Sequence, residues 1–160
     1  MITIRPIEDK DIHFLWDMLY EMVHIPENKP SKEELLNIPD IKKYLEGWGR
    51  KGDNGFIAID FQNNPLGTAW YRLFQEEDKG YGFVDDETPE LSIAIVKSYI
   101  GKGIGTMLLK ELINNAKSQE FKAISLSVDP GNSALKLYER LGFKKCGAEG
   151  TSWTMILNLN

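Results

Sequence analysis

Three glycines, Gly101, Gly103 and Gly105, stand at alternate positions in the stretch YIGKGIGTMLL, between a strand-like apolar run and an amphipathic, helix-like run. Glycine inside a regular element costs about 0.5–1 kcal/mol relative to alanine, so another benefit is expected to offset that cost. A glycine-rich turn into a helix exposes backbone N–H groups that lack intrahelical partners, and the helix dipole adds positive potential there. Phosphates bind readily to such places. The cluster therefore predicts an anion site at a strand-to-helix junction.

Three classes of phosphate ligand use this device. A P-loop needs lysine directly after its last glycine, but here Lys102 precedes Gly103 and Thr106 follows Gly105. A dinucleotide fingerprint needs G-x-G-x-x-G, and here the third glycine comes one residue early. The third class is coenzyme A, held through its pyrophosphate. For the glycines alone, a tight turn without a ligand is the favoured interpretation.

Alternating and helical spacing of apolar residues predicts the elements that position this turn. The predicted strands are 2–5, 55–61, 66–74, 90–96, 123–128 and 151–159. Two predicted helices begin at residue 9 or 11 and at the capping box 31–34. Three more are predicted over 40–48, 103–118 and 133–141. This order predicts an α/β (α+β) fold with a mixed sheet and helices on both faces. The strands at 90–96 and 123–128 are expected to be parallel neighbours joined by a right-handed crossover.

Composition limits the class of protein. The 160 residues fit one domain, 1–160, with 42% apolar residues. A net charge of −5 argues against nucleic-acid and membrane partners. No stretch has the length of a membrane span or the pattern of a signal peptide, so a cytoplasmic location is expected. Cys146 is the single cysteine and lies far in sequence from His13 and His24, so neither a disulfide nor a metal site is expected.

Two longer segments, LSIAIVKSYIGKGIGTMLLKELI and LSVDPGNSALKLYERLGF, resemble the signature segments of the GCN5-related N-acetyltransferase (GNAT) superfamily. The first is similar to that family's Q/R-x-x-G-x-G/A pyrophosphate loop, and the second to its V-x-P-x-N-x-x-A-x-x-L-Y-x-x-x-G-F segment. The opening TIRPIEDKDI is similar to the family's first strand and first helix. Two positions depart from the pattern. Ile100 stands where the family has Arg or Gln, and Asn132 lies one residue nearer Tyr138 than is usual.

The resemblance implies a mixed, mostly antiparallel central sheet that is splayed between two parallel strands. It also implies direct transfer of acetyl from acetyl-CoA to a primary amine of a small molecule or peptide, without a metal or an acyl-enzyme. The implied cofactor-binding residues are Ile93, Ala94, Ile95, Ile100, Gly101, Lys102, Gly103, Ile104, Gly105, Thr106, Asn132 and Tyr138. Dimerisation is common among relatives, and the sequence leaves a homodimer open.

Two residues are predicted to be catalytic. The resemblance places the phenol of Tyr138 near the cofactor sulfur, where it could protonate the departing thiolate. The attacking amine must be neutral, and a lysine-like amine is only about 0.1% free base at pH 7. Glu90 is the first candidate for the group that removes the proton, provided that burial raises its pKa. Glu87, Asp86 and Asp85 are the alternatives.

The acceptor site is predicted from aromatic residues interleaved with acids, because this combination suits a cationic amine. The predicted contacts are Trp70, Arg72, Tyr81 and Phe83. Core aromatics beneath a charged loop are the competing interpretation. For the whole protein, the alternative to an enzyme is an acetyl-CoA-binding module of the same fold that senses the cofactor or has no efficient catalytic role.

Overall fold

The strands and helices follow the apolar spacing of the chain, and the computed structural model describes residues 1–160. The strands are β1 (Thr3–Pro6), β2 (Asn54–Ile59), β3 (Pro65–Arg72), β4 (Glu90–Ile95), β5 (Ala123–Val128), β6 (Lys144–Glu149) and β7 (Ser152–Asn158). The helices are α1 (Ile12–Met22), α2 (Lys32–Leu36), α3 (Pro39–Lys42), α4 (Ile104–Ser118) and α5 (Leu135–Arg140). Short 3₁₀ turns lie at Asp9–Asp11, Glu76–Asp78 and Lys97–Tyr99.

The seven strands form one mixed sheet in the order β1-β2-β3-β4-β5-β7-β6. Strand β1 is antiparallel to β2, and β7 is antiparallel to both β5 and β6. Strands β4 and β5 are parallel, with Glu90 opposite Ser125, and the N–H of Ser125 donates to the carbonyl of Pro89 at 2.9 Å. Since α4 lies between these two strands in the chain, the predicted strand–helix–strand crossover and the mixed sheet are confirmed.

Two local features differ from the sequence predictions. Strand β6, with the sequence KKCGAE, was not predicted, because it is a largely exposed edge strand with little apolar alternation and a register shift between Lys145 and Gly147. The helix predicted at 40–48 ends at Lys42. Beyond it the N–H groups of Tyr44 and Leu45 donate to the carbonyls three residues earlier, at 3.1 Å each, so the chain continues as tight turns.

Side-chain hydrogen bonds stabilise the starts of α1 and α2. The Ser31 hydroxyl accepts the N–H of Glu34 at 3.2 Å, which confirms Ser31 as the N-cap of α2, and the same hydroxyl lies 3.3 Å from the Glu34 carboxylate. Before α1, the carboxylate of Asp11 reaches back to the N–H of Glu8 at 2.7 Å and makes a two-pronged pair with Arg5, at 2.7 and 2.9 Å. Asp11 thus stabilises the turn that leads into the helix.

The chain has two compact units, each with its own buried residues. The first unit is Met1–Trp70 with Ile93–Leu112, and the second is Tyr71–Ser92 with Ile113–Asn160. Fully buried side chains of the first unit include Leu15, Leu35, Leu45, Ile57, Trp70, Ile104, Leu108, Leu109 and Leu112. Those of the second unit include Tyr71, Ala116, Ile124 and Leu126. A single domain from 1 to 160 stays a prediction. No helix is both long and apolar enough to cross a membrane.

Candidate active site

The phosphate loop, residues 97–106, has the backbone geometry of an anion site. Gly101 and Gly103 adopt φ angles of +84° and +83°, which side chains rarely tolerate. Helix α4 begins at Ile104, and its first bond from an amide to the carbonyl four residues earlier runs from Met107 to Gly103, at 3.2 Å. The amides of residues 104–106 precede that bond, so they are the free donors that a helix N-terminus offers to an anion.

The space around this loop is open. A Cβ added at Gly101 or Gly103 would meet no atom within 4 Å. Ile100 is 62% exposed, so the residue in place of the family's Arg or Gln presents an apolar side chain to solvent. The Lys102 ammonium lies 5.4 Å from the Tyr99 ring centroid. The loop therefore offers backbone donors together with the nearby cation of Lys102.

Strand β4, which leads into the loop, changes its burial halfway along. Residues 90–92 are buried, but Ile93, Ala94 and Ile95 are only partly buried. On its β3 side the strand is held closely: the Val96 N–H donates to the Leu66 carbonyl at 2.9 Å, and a Cβ at Gly67 would lie 2.7 Å from the Ile95 side chain. A strand inside a sheet is usually covered along its whole length. The partial exposure of Ile93–Ile95 marks the segment that the resemblance assigns to the cofactor.

Tyr138 lies in the second unit on the short helix α5 and is buried, with 6% exposure. Its ring makes an edge contact with Phe143, with centroids 6.0 Å apart. Burial raises the pKa of the Tyr138 phenol to about 12. The phenol therefore stays protonated at neutral pH, as a proton donor must, although the higher pKa makes it a weaker acid.

Asn132 lies in the turn before α5 and is exposed. Its side-chain oxygen accepts the N–H of Ala134 at 2.9 Å, and its carbonyl accepts the N–H of Leu135 at 3.1 Å. The oxygen therefore shapes the turn before the helix. The side-chain NH₂ group is the part of Asn132 suited to donate to a cofactor amide.

Glu90, the first candidate base, is buried at the start of β4 with 3% exposure. One carboxylate oxygen accepts the N–H of Gly82 at 3.1 Å. The Ser125 hydroxyl donates to the carbonyl of the same glycine at 2.8 Å. The sequence prediction missed Gly82 and Ser125. The only signal was the pair of glycines that flanks Tyr81.

The four predicted acceptor contacts have different environments. Trp70 is fully buried in the first unit, where its indole N–H donates to the Tyr44 carbonyl at 3.0 Å, and Arg72 is 1% exposed in the second. Tyr81 is 46% exposed, and Phe83 is partly buried. Tyr81 and Phe83 are therefore the two of the four with ring surface at the protein's exterior. Among the other reactive groups, Cys146 lies exposed on strand β6.

These features define the class of the protein. The model of the Acetyltransferase (GNAT) family matches residues 16–143, and the chain belongs to this family. Over its full length the fold is similar to that of an N-acetyltransferase from Staphylococcus aureus Mu50, with a TM-score of 0.74, 20% identity and coverage of 99% of that chain.

Two curated relatives have a higher identity over part of the chain. An L-methionine sulfoximine/L-methionine sulfone acetyltransferase of Pseudomonas paraeruginosa is 28% identical over 116 residues, which are 72% of this chain and 64% of the relative. A protein of Bacillus subtilis subsp. natto named "Probable spermine N(1)-acetyltransferase" is 33% identical over 93 residues, 55% of this chain and 58% of the relative. The chain thus matches rather less than two thirds of the length of either relative.

Proposed function

We propose that this protein transfers the acetyl group of acetyl-CoA directly to the primary amine of a small cationic molecule. One observation carries the cofactor assignment: two glycines with left-handed φ precede a helix whose first amides are free, in a loop with open space around it. Membership of the GNAT family supports the same assignment. Amides of residues 101–106 bind the pyrophosphate, and Lys102 adds positive charge.

The chemistry that this chain supplies is proton transfer and polarisation. The amine attacks the thioester carbonyl, the carbon–sulfur bond breaks, and the Tyr138 phenol donates its proton to the thiolate. A backbone N–H near Ile95 polarises the thioester oxygen. The amine loses its proton to a base, for which Glu90 is the first candidate from the sequence and Asp85, Asp86 and Glu87 are alternatives.

The acceptor is proposed to be cationic because of the acidic loop, residues 75–89. The loop carries six carboxylates and one lysine, and it displays the ring of Tyr81. Carboxylates attract an ammonium group over a distance, and an aromatic face binds it at contact. The name of the Bacillus relative refers to a polyamine, which is such a cation. A peptide amine is the second acceptor class.

The proposed location is the cytoplasm, and a homodimer is left open.

The binding step can be tested with one pair of matched variants. Gly103→Ala and Gly150→Ala both place a methyl on a glycine of positive φ, +83° and +59°, with no atom within 4 Å. We expect Gly103→Ala to weaken acetyl-CoA binding about tenfold, because the strained loop turns its amides, while Gly150→Ala leaves affinity unchanged. Isothermal titration measures both. Equal affinities in the two variants would remove the phosphate loop from the site.

The transfer step needs a separate measurement. Release of free thiol from acetyl-CoA is followed with spermine, with a neutral-side-chain amino acid and with a lysine peptide. Fastest release with spermine supports the proposal, and fastest release with the peptide favours the second acceptor class. Tight cofactor binding without turnover of any amine would instead favour the acetyl-CoA-binding module.

A further inference from the structure

We propose that Glu90 and Ser125 are positioning residues that fasten the acidic loop to strands β4 and β5 through Gly82, and that this clasp holds Tyr81 where the amine binds. The inference deepens the proposed function and rests on it for the identity of the acceptor. It assigns Glu90 a task other than that of the base. All of the contacts that carry it lie within the second unit.

The clasp binds both backbone polar groups of one loop residue. The Gly82 N–H donates to the Glu90 carboxylate at 3.1 Å, and the Gly82 carbonyl accepts from the Ser125 hydroxyl at 2.8 Å. Both side chains are buried, Glu90 with 3% exposure and Ser125 with none. A buried polar group that loses its hydrogen-bond partner costs free energy, so opening the loop at Gly82 is unfavourable.

Glycine is required at the clasp because of space. A Cβ at position 82 would lie 2.6 Å from the carbonyl carbon of Leu126 and 2.8 Å from both its oxygen and the N–H nitrogen of Ser127. These are backbone atoms of β5 and cannot move aside. The loop therefore touches the strand backbone directly, and any side chain at 82 would push it away.

Further hydrogen bonds hold other parts of the acidic loop. The N–H of Ser125 donates to the Pro89 carbonyl at 2.9 Å, where the loop enters β4. Within the loop, the Glu76 N–H donates to the Asp86 carboxylate at 2.9 Å, and the Lys79 ammonium lies 5.7 Å from the Phe83 ring centroid. The loop is thus held at three places: where Glu76 meets Asp86, at Gly82, and at Pro89 before β4.

The clasp holds in place an exposed aromatic ring on a loop rich in carboxylates. Tyr81 directly precedes Gly82 and is 46% exposed, and Phe83 directly follows it. Glu76, Glu77, Asp78, Asp85, Asp86 and Glu87 belong to the same loop. A ring held rigidly on an acidic loop binds an ammonium group at a smaller entropic penalty than a mobile ring does, so the clasp should set the affinity for the amine.

The test uses Ser125→Ala, with Ser118→Ala as a control that loses a hydroxyl bonded to the Asn115 carbonyl at the exposed end of α4. In Ser125→Ala we expect amide hydrogen exchange of residues 76–86 to accelerate about tenfold, and the KM for the amine to rise by a similar factor. The KM for acetyl-CoA and kcat at saturating amine should stay unchanged. Ser118→Ala should alter none of these. Unchanged exchange and unchanged amine KM in Ser125→Ala would overturn the clasp.

Glu90→Gln separates positioning from base catalysis. The amide retains an oxygen that can accept the Gly82 N–H but cannot take a proton from the amine. We expect kcat to fall less than about tenfold with the acid limb of the pH profile retained; a loss of about 10³-fold with loss of that limb would make Glu90 the base and refute the positioning role.

The exchange measurement needs no substrate. If no amine were turned over, faster exchange in Ser125→Ala would establish the clasp and locate the failure in the proposed function.

Discussion

Gly103 in the phosphate loop and Gly82 in the acidic loop both precede or flank residues assigned to binding, yet their surroundings are opposite. Gly103 has a φ of +83° and no atom within 4 Å of the position of a Cβ. Gly82 does not have a positive φ, but a Cβ there would lie 2.6 Å from the backbone of Leu126. The first loop needs glycine for its dihedral angle and leaves space beside it, whereas the second needs glycine because the space is filled.

The difference has a functional meaning. Amides beside empty space can bind a ligand, as proposed for the phosphate loop. At Gly82 the N–H already donates to Glu90 and the C=O already accepts from Ser125, so this glycine has no N–H left to donate to an anion and serves to hold its neighbours in place. Glycine in a loop thus indicates an anion site in one case and an anchor in the other.

The largest expected effect is on stability, when valine replaces the glycine of each loop. Gly82→Val should lower the free energy of unfolding by about 3 kcal/mol, because the side chain meets immobile backbone. Gly103→Val should lower it by only about 1–2 kcal/mol, from backbone strain alone. Urea unfolding measures both. Equal losses would mean that the close approach at Gly82 is relieved by a small loop movement.

Tyr138→Phe asks whether an intact phosphate loop is enough for turnover. Loss of the proton donor should reduce kcat about 10²-fold while acetyl-CoA affinity stays the same. Because the pKa of Tyr138 is raised to about 12, the acid form persists well above the usual phenol pKa. The wild-type rate should therefore not decline between pH 8 and 10, where an ordinary phenol of pKa about 10 would begin to ionise. A decline there that disappears in Tyr138→Phe would contradict the raised pKa.

Asp11 provides another turn in which a carboxylate accepts a backbone N–H, with Arg5 as a charged partner. Asp11→Ala should cost about 2 kcal/mol at pH 7. The Arg5 hydrogen bond holds the pKa of Asp11 below its usual range, so this stability is present above the unfolded-state pKa and is lost as pH falls through the lower folded-state pKa. The difference between wild type and variant should accordingly shrink in unfolding experiments below about pH 4.

Lys10→Ala is the comparison variant for that experiment, because Lys10 makes an exposed pair with Glu8 at 3.4 Å and its charge is the smallest of the contributions that lower the pKa of Asp11. It should change stability by less than about 1 kcal/mol. A pH-independent difference for Asp11→Ala would show that packing, and not the ion pair, accounts for its effect.

The smallest effect sharpens the contrast between the two loops through their lysines. Lys102 lies 5.4 Å from the Tyr99 ring centroid and Lys79 lies 5.7 Å from the Phe83 ring centroid, and Lys79 also pairs with the Glu76 carboxylate at 3.1 Å. Lys102→Ala should weaken acetyl-CoA binding about threefold, with the difference fading at high salt, because an exposed charge contributes little and is screened. Lys79→Ala should leave that affinity unchanged. Titrations at two ionic strengths distinguish them, and equal effects would indicate a general influence of charge.

Much of the fold could be predicted because its signals are local. The apolar run of β5 and the amphipathic pattern of α4 are short-range features, and they gave bounds within one residue of those observed. Strand β6 was missed because a polar edge strand forms through its partner β7 and has no strong pattern of its own. Aromatic residues near the acidic loop could be grouped by sequence, but burial separated Trp70 from Tyr81.

The sequence by itself determined the family, the order of most elements and the glycine loop ahead of α4, because helix starts, turn dihedrals and apolar spacing are set by residues close together in the chain. Only the tertiary structure decided which of those residues are covered and which groups hold the acidic loop. Ser125 and Gly82 are 43 positions apart, and no local pattern links them. Their contact exists because the parallel pairing of β4 and β5 brings the start of one strand beside the other.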